Sequence, residues 1–179
     1  MKKTSLIVSA AVIAASALLL FGCDKALAKT AAANAEKEFQ EMLTTVLPGS
    51  ESFTPEEYEG EDETIKAVYK GENGFVIETN VYGYAGELEM LVGVSTEGTV
   101  TGLVVRDMSE TYGLGANALT DTEFLSQFLG TSGEAEVGNN IDALTGATVS
   151  SKAVTRAVNA AVAYVTGADT SSSATTWGG

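Results

Sequence analysis

Four segments in the middle of the chain alternate apolar and polar residues and are separated only by short turn sequences. Because successive side chains point to opposite faces of a strand, this alternation predicts half-buried β-strands. Ser95-Thr96-Glu97-Gly98 predicts a hairpin turn between the last two strands. Since no helical segment lies between the strands, we expect an antiparallel meander. The predicted strands cover Thr64 to Tyr69 (with Ile65, Ala67 and Tyr69 in alternation), Gly74 to Tyr82, Glu87 to Val94 and Thr99 to Arg106.

Helical patterns flank this block. An apolar stripe predicts a helix from Ala28 to Leu47, which Pro48-Gly49 ends. A second helix is expected from about Asp121 to Leu129, capped by Thr120 or Asp121, and a third from Ser150 to Val165. The fold class is therefore α+β, one domain with a mainly antiparallel sheet and flanking helices. The expected divisions are an N-terminal anchor (1–27), a juxtamembrane helix (28–49), the main domain (50–166) and a disordered tail (167–179).

The N-terminal segment is an uncharged run from Ser5 to Cys23 that follows Lys2 and Lys3. As a helix it would be about 28 Å long, which matches the hydrocarbon thickness of a bilayer. Three interpretations stay open: a single-pass anchor, a secretory signal cleaved after Ala28, and a lipoprotein signal ending at Cys23. All three place the main domain outside the cytoplasm, because the two lysines precede the apolar run.

Composition excludes several classes of function. The chain has no histidine and one cysteine, so Ser-His-Asp catalysis, a His-bound metal and a thiolate cluster are excluded. We expect no catalytic residue and no metal site, and any redox chemistry must reside in an organic cofactor. The formal charge of −14 argues against nucleic acid as a partner. The acidic stretch between Glu51 and Glu63 is interpreted as a solvated loop.

The sequence Asp142-Ala143-Leu144-Thr145-Gly146-Ala147-Thr148 precedes the last predicted helix. A hydroxyl at a helix N-terminus lies beside free N–H groups and the positive end of the dipole, which favour an anion. Lys152 and Arg156 follow on one helix face, an arrangement that suits a phosphate. A threonine in this place is also an ordinary helix cap, and the residues alone leave both interpretations open.

Two motifs together resemble a known family. The stretch from Asp142 to Thr148 resembles the D-x-x-[ST]-G-A-T flavinylation pattern of covalent FMN-binding domains. The stretch from Ser109 to Gly115 resembles that family's E-T-P-G-L-G loop, with Tyr112 where proline is usual. The family includes the G subunit of Rnf-type ion-translocating ferredoxin:NAD oxidoreductases and the C subunit of the sodium-pumping NADH:quinone reductase. A single apolar N-terminal segment and a Gly83-Tyr84-Ala85-Gly86 hairpin resemble the Rnf G subunit in organisation.

The resemblance implies that Thr148 bears FMN through a phosphoester bond. It further implies that this flavoprotein carries electrons within a membrane complex, an ion-translocating oxidoreductase, and is not active alone. Its implied partners are the other membrane subunits, a flavin transferase during maturation and the membrane itself. The implied location is the cell (inner) membrane, single-pass, with the C-terminal domain outside. The cofactor-binding residues that the resemblance adds around Thr148 are Asp142, Thr145, Gly146, Ala147, Ser150, Lys152, Glu110, Thr111 and Leu114.

Two alternatives to this function stay open. The first is a free-standing extracellular flavin lipoprotein, anchored at Cys23, that passes electrons to external acceptors. The second is a non-redox binding module in which Thr148 only caps a helix.

Overall fold

A computed structural model describes residues 30–108 and 121–168 of the 179-residue chain. Helix α1 covers residues 30–46 and is followed by a turn at Pro48 and Gly49, as predicted. Five strands come next, and two further helices complete the described part. The strands are β1 (Thr54–Glu56), β2 (Ile65–Lys70), β3 (Gly74–Tyr82), β4 (Glu87–Ser95) and β5 (Val100–Met108), and the helices are α2 (Thr122–Ser126) and α3 (Thr148–Thr166).

The chain divides into two compact units, residues 1–41 and 42–179. In the first unit the described residues are the exposed early turns of α1, where Lys37 and Glu41 form a surface ion pair at 3.4 Å. None of the helices in the described ranges has the length and apolar character needed to cross a bilayer. The predicted anchor, Ser5 to Cys23, and the predicted disordered tail beyond residue 168 lie outside the described residues.

The five strands form one antiparallel sheet in the order β1-β2-β3-β4-β5, which confirms the predicted meander. The predicted hairpin turn between β4 and β5 is also present. Gly98 has a φ of 81°, and its N–H donates to the carbonyl of Ser95 at 2.9 Å. Glycine suits this position because other residues adopt positive φ only with strain.

The structure corrects two predictions about the start of the sheet. A register shift between Ile65 and Ala67 changes which face of the sheet the later residues of β2 occupy. Val68 therefore lies in the core with Ile65, and Tyr69 faces away from it. Strict alternation cannot anticipate a bulge, which inserts one residue into the period. The acidic stretch is not entirely a loop, since Thr54–Glu56 pairs with β2 as a short edge strand. Proline is tolerated there because an edge strand leaves one side unpaired.

The inner face of the sheet packs against α3, α2 and the segment between them. Alternate residues of β3 and β4, including Ile77, Met90 and Val92, are buried against Val154, Val158 and other apolar residues of α3. At the far end of α3, the ring of Tyr164 contacts Phe75 and Tyr58 edge-on at 6.0 and 5.8 Å between centroids. This face therefore holds the main hydrophobic core and determines where α3 lies.

The outer face packs against the last turn of α1. Gly93 on β4 pairs with Gly102 on β5, and the backbone of Val46 lies directly over both glycines. The Thr101 hydroxyl donates a hydrogen bond to the Val46 carbonyl at 2.6 Å. Two adjacent glycines thus create the space that lets a helix end approach the sheet backbone.

We expect Gly93→Ala to destabilise the domain by about 1 to 3 kcal/mol, the usual cost of overpacking a well-filled interior. A Cβ at this position would overlap the Val46 carbonyl oxygen, so the last turn of α1 must move away. Thermal unfolding followed by circular dichroism measures the change. The control is Thr101→Val, which removes the hydrogen bond to Val46 but adds no bulk and is expected to cost less. An alanine variant as stable as the wild type would contradict the close approach.

Candidate functional site

Helix α2 is short and begins at a side-chain cap. The Asp121 carboxylate accepts hydrogen bonds from the N–H groups of Glu123 and Phe124 at 2.9 and 3.0 Å. Asp121 was one of the two predicted caps. The helix is anchored by Phe124 and Phe128, both buried, whose rings meet edge-on at 5.4 Å between centroids. The segment that follows is therefore held at its start by aromatic packing.

The chain from Thr131 to Ile141 has little regular structure and is held by side-chain amides. The Asn159 amide, on α3, accepts from the Ala135 N–H at 3.2 Å and donates to the Ala135 carbonyl at 2.8 Å. Asn140 makes a similar pair of bonds, to the N–H of Glu136 and the carbonyl of Glu134. These bonds satisfy backbone groups that would otherwise lack partners and so give an irregular segment a defined path.

The motif loop, defined as Asp142 to Ala147, is attached at both ends. The side-chain oxygen Oε1 of Gln127 accepts from the Asp142 N–H at 2.7 Å, and the side-chain nitrogen Nε2 donates to the Asp142 backbone carbonyl at 3.3 Å. The Ser151 hydroxyl accepts from the Leu144 N–H at 3.3 Å and donates to the Ala147 carbonyl at 2.9 Å. Gly146 has a φ of 80°, which supplies the reversal that leads into α3.

Thr148 is the first residue of α3, two residues earlier than the predicted start at Ser150. The N-cap position belongs to Ala147, and within the described residues no side chain caps this end. Thr148 therefore does not occupy the capping position that the binding-module alternative assigned to it. Its side chain is exposed, whereas Ala147 before it is buried. The helix start thus presents a secondary hydroxyl group to solvent.

The other predicted site residues differ in how far they are exposed to solvent. Asp142, Thr145, Gly146 and Lys152 are exposed, and Lys152 lies one turn after Thr148 on the same face of α3. Ser150 is fully buried, so its hydroxyl does not face solvent. Gly146 and Ala147 shape the backbone of the loop.

Arg156 lies away from the helix start, two turns along α3. It lines an open pocket of about 220 Å³ whose other residues come from the ends of β2, β3 and β4 and include Glu63, Tyr82 and Glu87. Lys152 and Arg156 are both exposed and lie one turn apart on α3, and Lys152 is the nearer of the two to the helix start. The first turn, Thr148 to Ser151, contains no acidic residue, so a negative charge there meets no adjacent carboxylate within the turn.

The start of α3 and the end of β5 lie at the same edge of the sheet. Arg156 neighbours Tyr82 and Glu87, while Tyr164 contacts Phe75 at the opposite end of β3, so the start of α3 points toward the β3–β4 hairpin. Strand β5 ends at this edge, because Met108 pairs with Leu88. The predicted glycine loop with Glu110, Thr111 and Leu114 follows Met108 directly and lies outside the described residues.

Sequence reasoning missed Gln127 and Ser151, which hold the motif loop. Neither has a sequence signal, since Gln127 lies 15 residues before its partner and Ser151 looks like any small polar residue of a helix. Within the part of the chain that the structure describes, no group of three or more potential ligands could hold a metal ion.

Comparison with known proteins places this geometry in a family. Residues 83–163, from the β3–β4 hairpin through most of α3, match the family model of the FMN-binding domain. The chain is 34% identical over 175 residues to the G subunit of the ion-translocating oxidoreductase complex of Methanosarcina acetivorans, covering 90% of this chain and 91% of that protein.

Two further relatives match over shorter ranges. The G subunit of the Na(+)-translocating ferredoxin:NAD(+) oxidoreductase complex of Acetobacterium woodii is 36% identical over 116 residues, 56% of this chain and 55% of that protein. The G subunit of the proton-translocating ferredoxin:NAD(+) oxidoreductase complex of Clostridium ljungdahlii is 41% identical over 99 residues, 51% of this chain and 53% of that protein. The matched domain, the near full-length similarity to the Methanosarcina protein and these two relatives agree: the chain belongs to the family of G subunits of ion-translocating oxidoreductase complexes.

Proposed function

We propose that this protein is the electron-carrying subunit of a membrane-bound ion-translocating oxidoreductase complex of the ferredoxin:NAD type, with FMN attached to Thr148 by a phosphoester bond. The observation that carries the proposal is the exposed Thr148 hydroxyl at the first position of α3, at the end of a loop held at both ends. The names of the relatives and the matched FMN-binding domain support the redox role.

The residues at the start of α3 suit a flavin phosphate. A phosphodiester keeps one negative charge, which the helix dipole stabilises by about 0.3 to 1 kcal/mol when exposed. Lys152 lies one turn further on the same face and adds a positive charge, and the first turn contributes no carboxylate. Ala147 and Gly146 contribute little side-chain bulk, so the backbone can come close to the phosphate oxygens.

Attachment requires an activated donor, because an alcohol and a phosphate do not condense favourably in water. We propose that a flavin transferase uses flavin adenine dinucleotide. The Thr148 oxygen forms a bond to the FMN phosphorus, the phosphoanhydride bond breaks, the hydroxyl proton is lost and adenosine monophosphate leaves. Asp142 and Thr145 are exposed in the same loop and are positioned to help orient the hydroxyl for the transferase.

The bound flavin would supply the redox chemistry, and the protein supplies attachment, position and charge. The chain has no histidine, which agrees with a role that needs no general acid or base of its own. Electrons would pass to and from neighbouring membrane subunits, so the isolated protein is not expected to turn over NADH or ferredoxin. The domain is proposed to lie outside the cell membrane, held there by a single N-terminal anchor. A covalent bond keeps the cofactor on this domain.

The flavin ring is proposed to lie at the edge of the sheet formed by the β3–β4 hairpin and the end of β5. Glu110, Thr111 and Leu114 follow β5 in the sequence and are the residues proposed to line the ring. The exposed rings of Tyr82 and Tyr84 flank Gly83 at the tip of the hairpin and add aromatic surface on the same side.

Co-expression with a flavin transferase tests the proposal. We expect a fluorescent band under ultraviolet light in a denaturing gel, and a flavin absorbance that disappears on chemical reduction and returns on reoxidation. Fluorescence that denaturation removes would contradict the covalent bond. A protein that takes up no flavin at all would contradict the redox role.

A further inference from the structure

We infer that Gln127 is a positioning residue for flavin attachment, because it sets the conformation of the acceptor loop before any flavin is present. The inference rests on the proposed function at Thr148. It concerns a residue outside the flavinylation motif, at the end of α2, whose side chain forms hydrogen bonds with the backbone of the motif residue Asp142. Gln127 itself would not touch the flavin.

Two hydrogen bonds from the Gln127 side chain hold the backbone of Asp142, and this pair of bonds is called the Gln127 clamp. Gln127 accepts from the Asp142 N–H at 2.7 Å and donates to the Asp142 carbonyl at 3.3 Å, so both backbone polar groups of Asp142 are engaged. The carboxylate of Asp142 is left exposed. The direction in which this carboxylate points depends on the orientation of the Asp142 backbone, which Gln127 holds.

Gln127 itself occupies a well-defined position. It is the C-cap of α2, and its N–H donates to the Phe124 carbonyl at 3.2 Å. The next residue, Phe128, is fully buried in the core. The clamp therefore connects the first residue of the motif to the hydrophobic core through a single side chain.

Further hydrogen bonds in the loop connect the position of Asp142 to that of Thr148. Leu144 is bonded to Ser151, one turn into α3, and the Ala147 N–H donates to the Leu144 carbonyl at 2.9 Å. Hydrogen bonds therefore engage the backbone of Asp142, Leu144 and Ala147 along the loop. Release of Asp142 would let the carboxylate and the Thr148 hydroxyl move relative to each other, and displacements of about 1 Å can slow a positioned reaction by as much as about 100-fold.

Asn159 offers a matched control. It makes the same pair of amide-to-backbone bonds with Ala135, seven residues before the motif, at 3.2 and 2.8 Å. Gln127→Met and Asn159→Leu each replace an amide with an apolar side chain of similar size, so each removes one two-bond clamp. Both variants are expected to lose similar stability, and only the first releases the motif loop.

The experiment uses the full-length protein without flavin, a purified flavin transferase and flavin adenine dinucleotide. Intact-mass spectrometry follows the rate of attachment. We expect Gln127→Met to be at least about tenfold slower than wild type, and Asn159→Leu to stay within about twofold. Gln127→Glu keeps an acceptor for the shorter bond to the Asp142 N–H and is expected to recover much of the rate.

A second readout needs no flavin. Hydrogen exchange should become faster across residues 142–148 in Gln127→Met, and faster near Ala135 in Asn159→Leu. Attachment at the wild-type rate in Gln127→Met, or equal slowing in both variants, would overturn the positioning role while leaving Thr148 as the acceptor. A wild-type protein without covalent flavin would instead overturn the proposed function, and the exchange data would still show whether the clamp holds the loop.

Discussion

Thr148→Ala is expected to abolish covalent flavin completely. Co-expressed with its transferase, the wild-type protein should be heavier than its sequence by FMN less one water, and the alanine variant should have the mass of the bare chain. The reason is that the bond requires a hydroxyl oxygen at this position, at the exposed first residue of α3. Intact-mass spectrometry of both proteins measures the difference directly.

Two variants of the same loop serve as controls for this result. Thr148→Ser keeps the hydroxyl and should still accept flavin. Thr145→Ala removes the exposed hydroxyl of the motif loop and should still carry covalent flavin on Thr148, attached more slowly because Thr145 is proposed to help orient the acceptor hydroxyl. A mass increment that persists in Thr148→Ala would move the site to Thr145. Ser150 is a poor alternative acceptor, because it is fully buried in the first turn of α3.

Phe128→Ala should produce the largest loss of stability, about 3 to 5 kcal/mol, the usual cost of truncating a buried phenylalanine. Its ring is inaccessible to solvent and packs edge-on against Phe124, so alanine leaves a cavity between α2 and the core. Because a domain is stable by only about 5 to 15 kcal/mol, the melting temperature should fall markedly. Chemical denaturation followed by circular dichroism gives the free energy of unfolding.

The neighbouring residue provides the comparison for Phe128. Leu129→Ala removes a side chain of which 50% is exposed, and it should change the free energy of unfolding much less. Equal losses in the two variants would contradict the burial of Phe128 in the core.

The alternation of apolar residues alone was sufficient to predict most of the strands. Strand β3 covers the predicted range, and each end of the other three predicted strands lies within two residues of the end in the structure. The alternation failed at β2, where the bulge after Ile65 exchanged Tyr69 for Val68 in the core. It also failed at β1, because a three-residue segment with a proline and a glutamate resembles a loop. In both places the outcome depends on pairing with a neighbouring strand, which no local pattern contains.

The stretch that resembles a flavinylation motif was visible in the sequence because it consists of adjacent residues: a small-residue turn, a hydroxyl and a helix that starts beside it. The supporting contacts were not visible. The Gln127 clamp, the Asn159 clamp and the close approach of Val46 to Gly93 join residues 15, 24 and 47 positions apart (142 − 127, 159 − 135 and 93 − 46).

Local patterns in the sequence were sufficient to predict the class of the fold, the family resemblance and the residue proposed to carry the flavin, because alternation and short motifs are local properties of the chain. The folded structure was needed to establish that Thr148 begins α3 without serving as its cap, that Arg156 lines a pocket with the ends of β3 and β4, and that Ser150 is buried. Those outcomes depend on which face of α3 the sheet covers and where the preceding loop is held. Both follow from contacts between residues far apart in the chain.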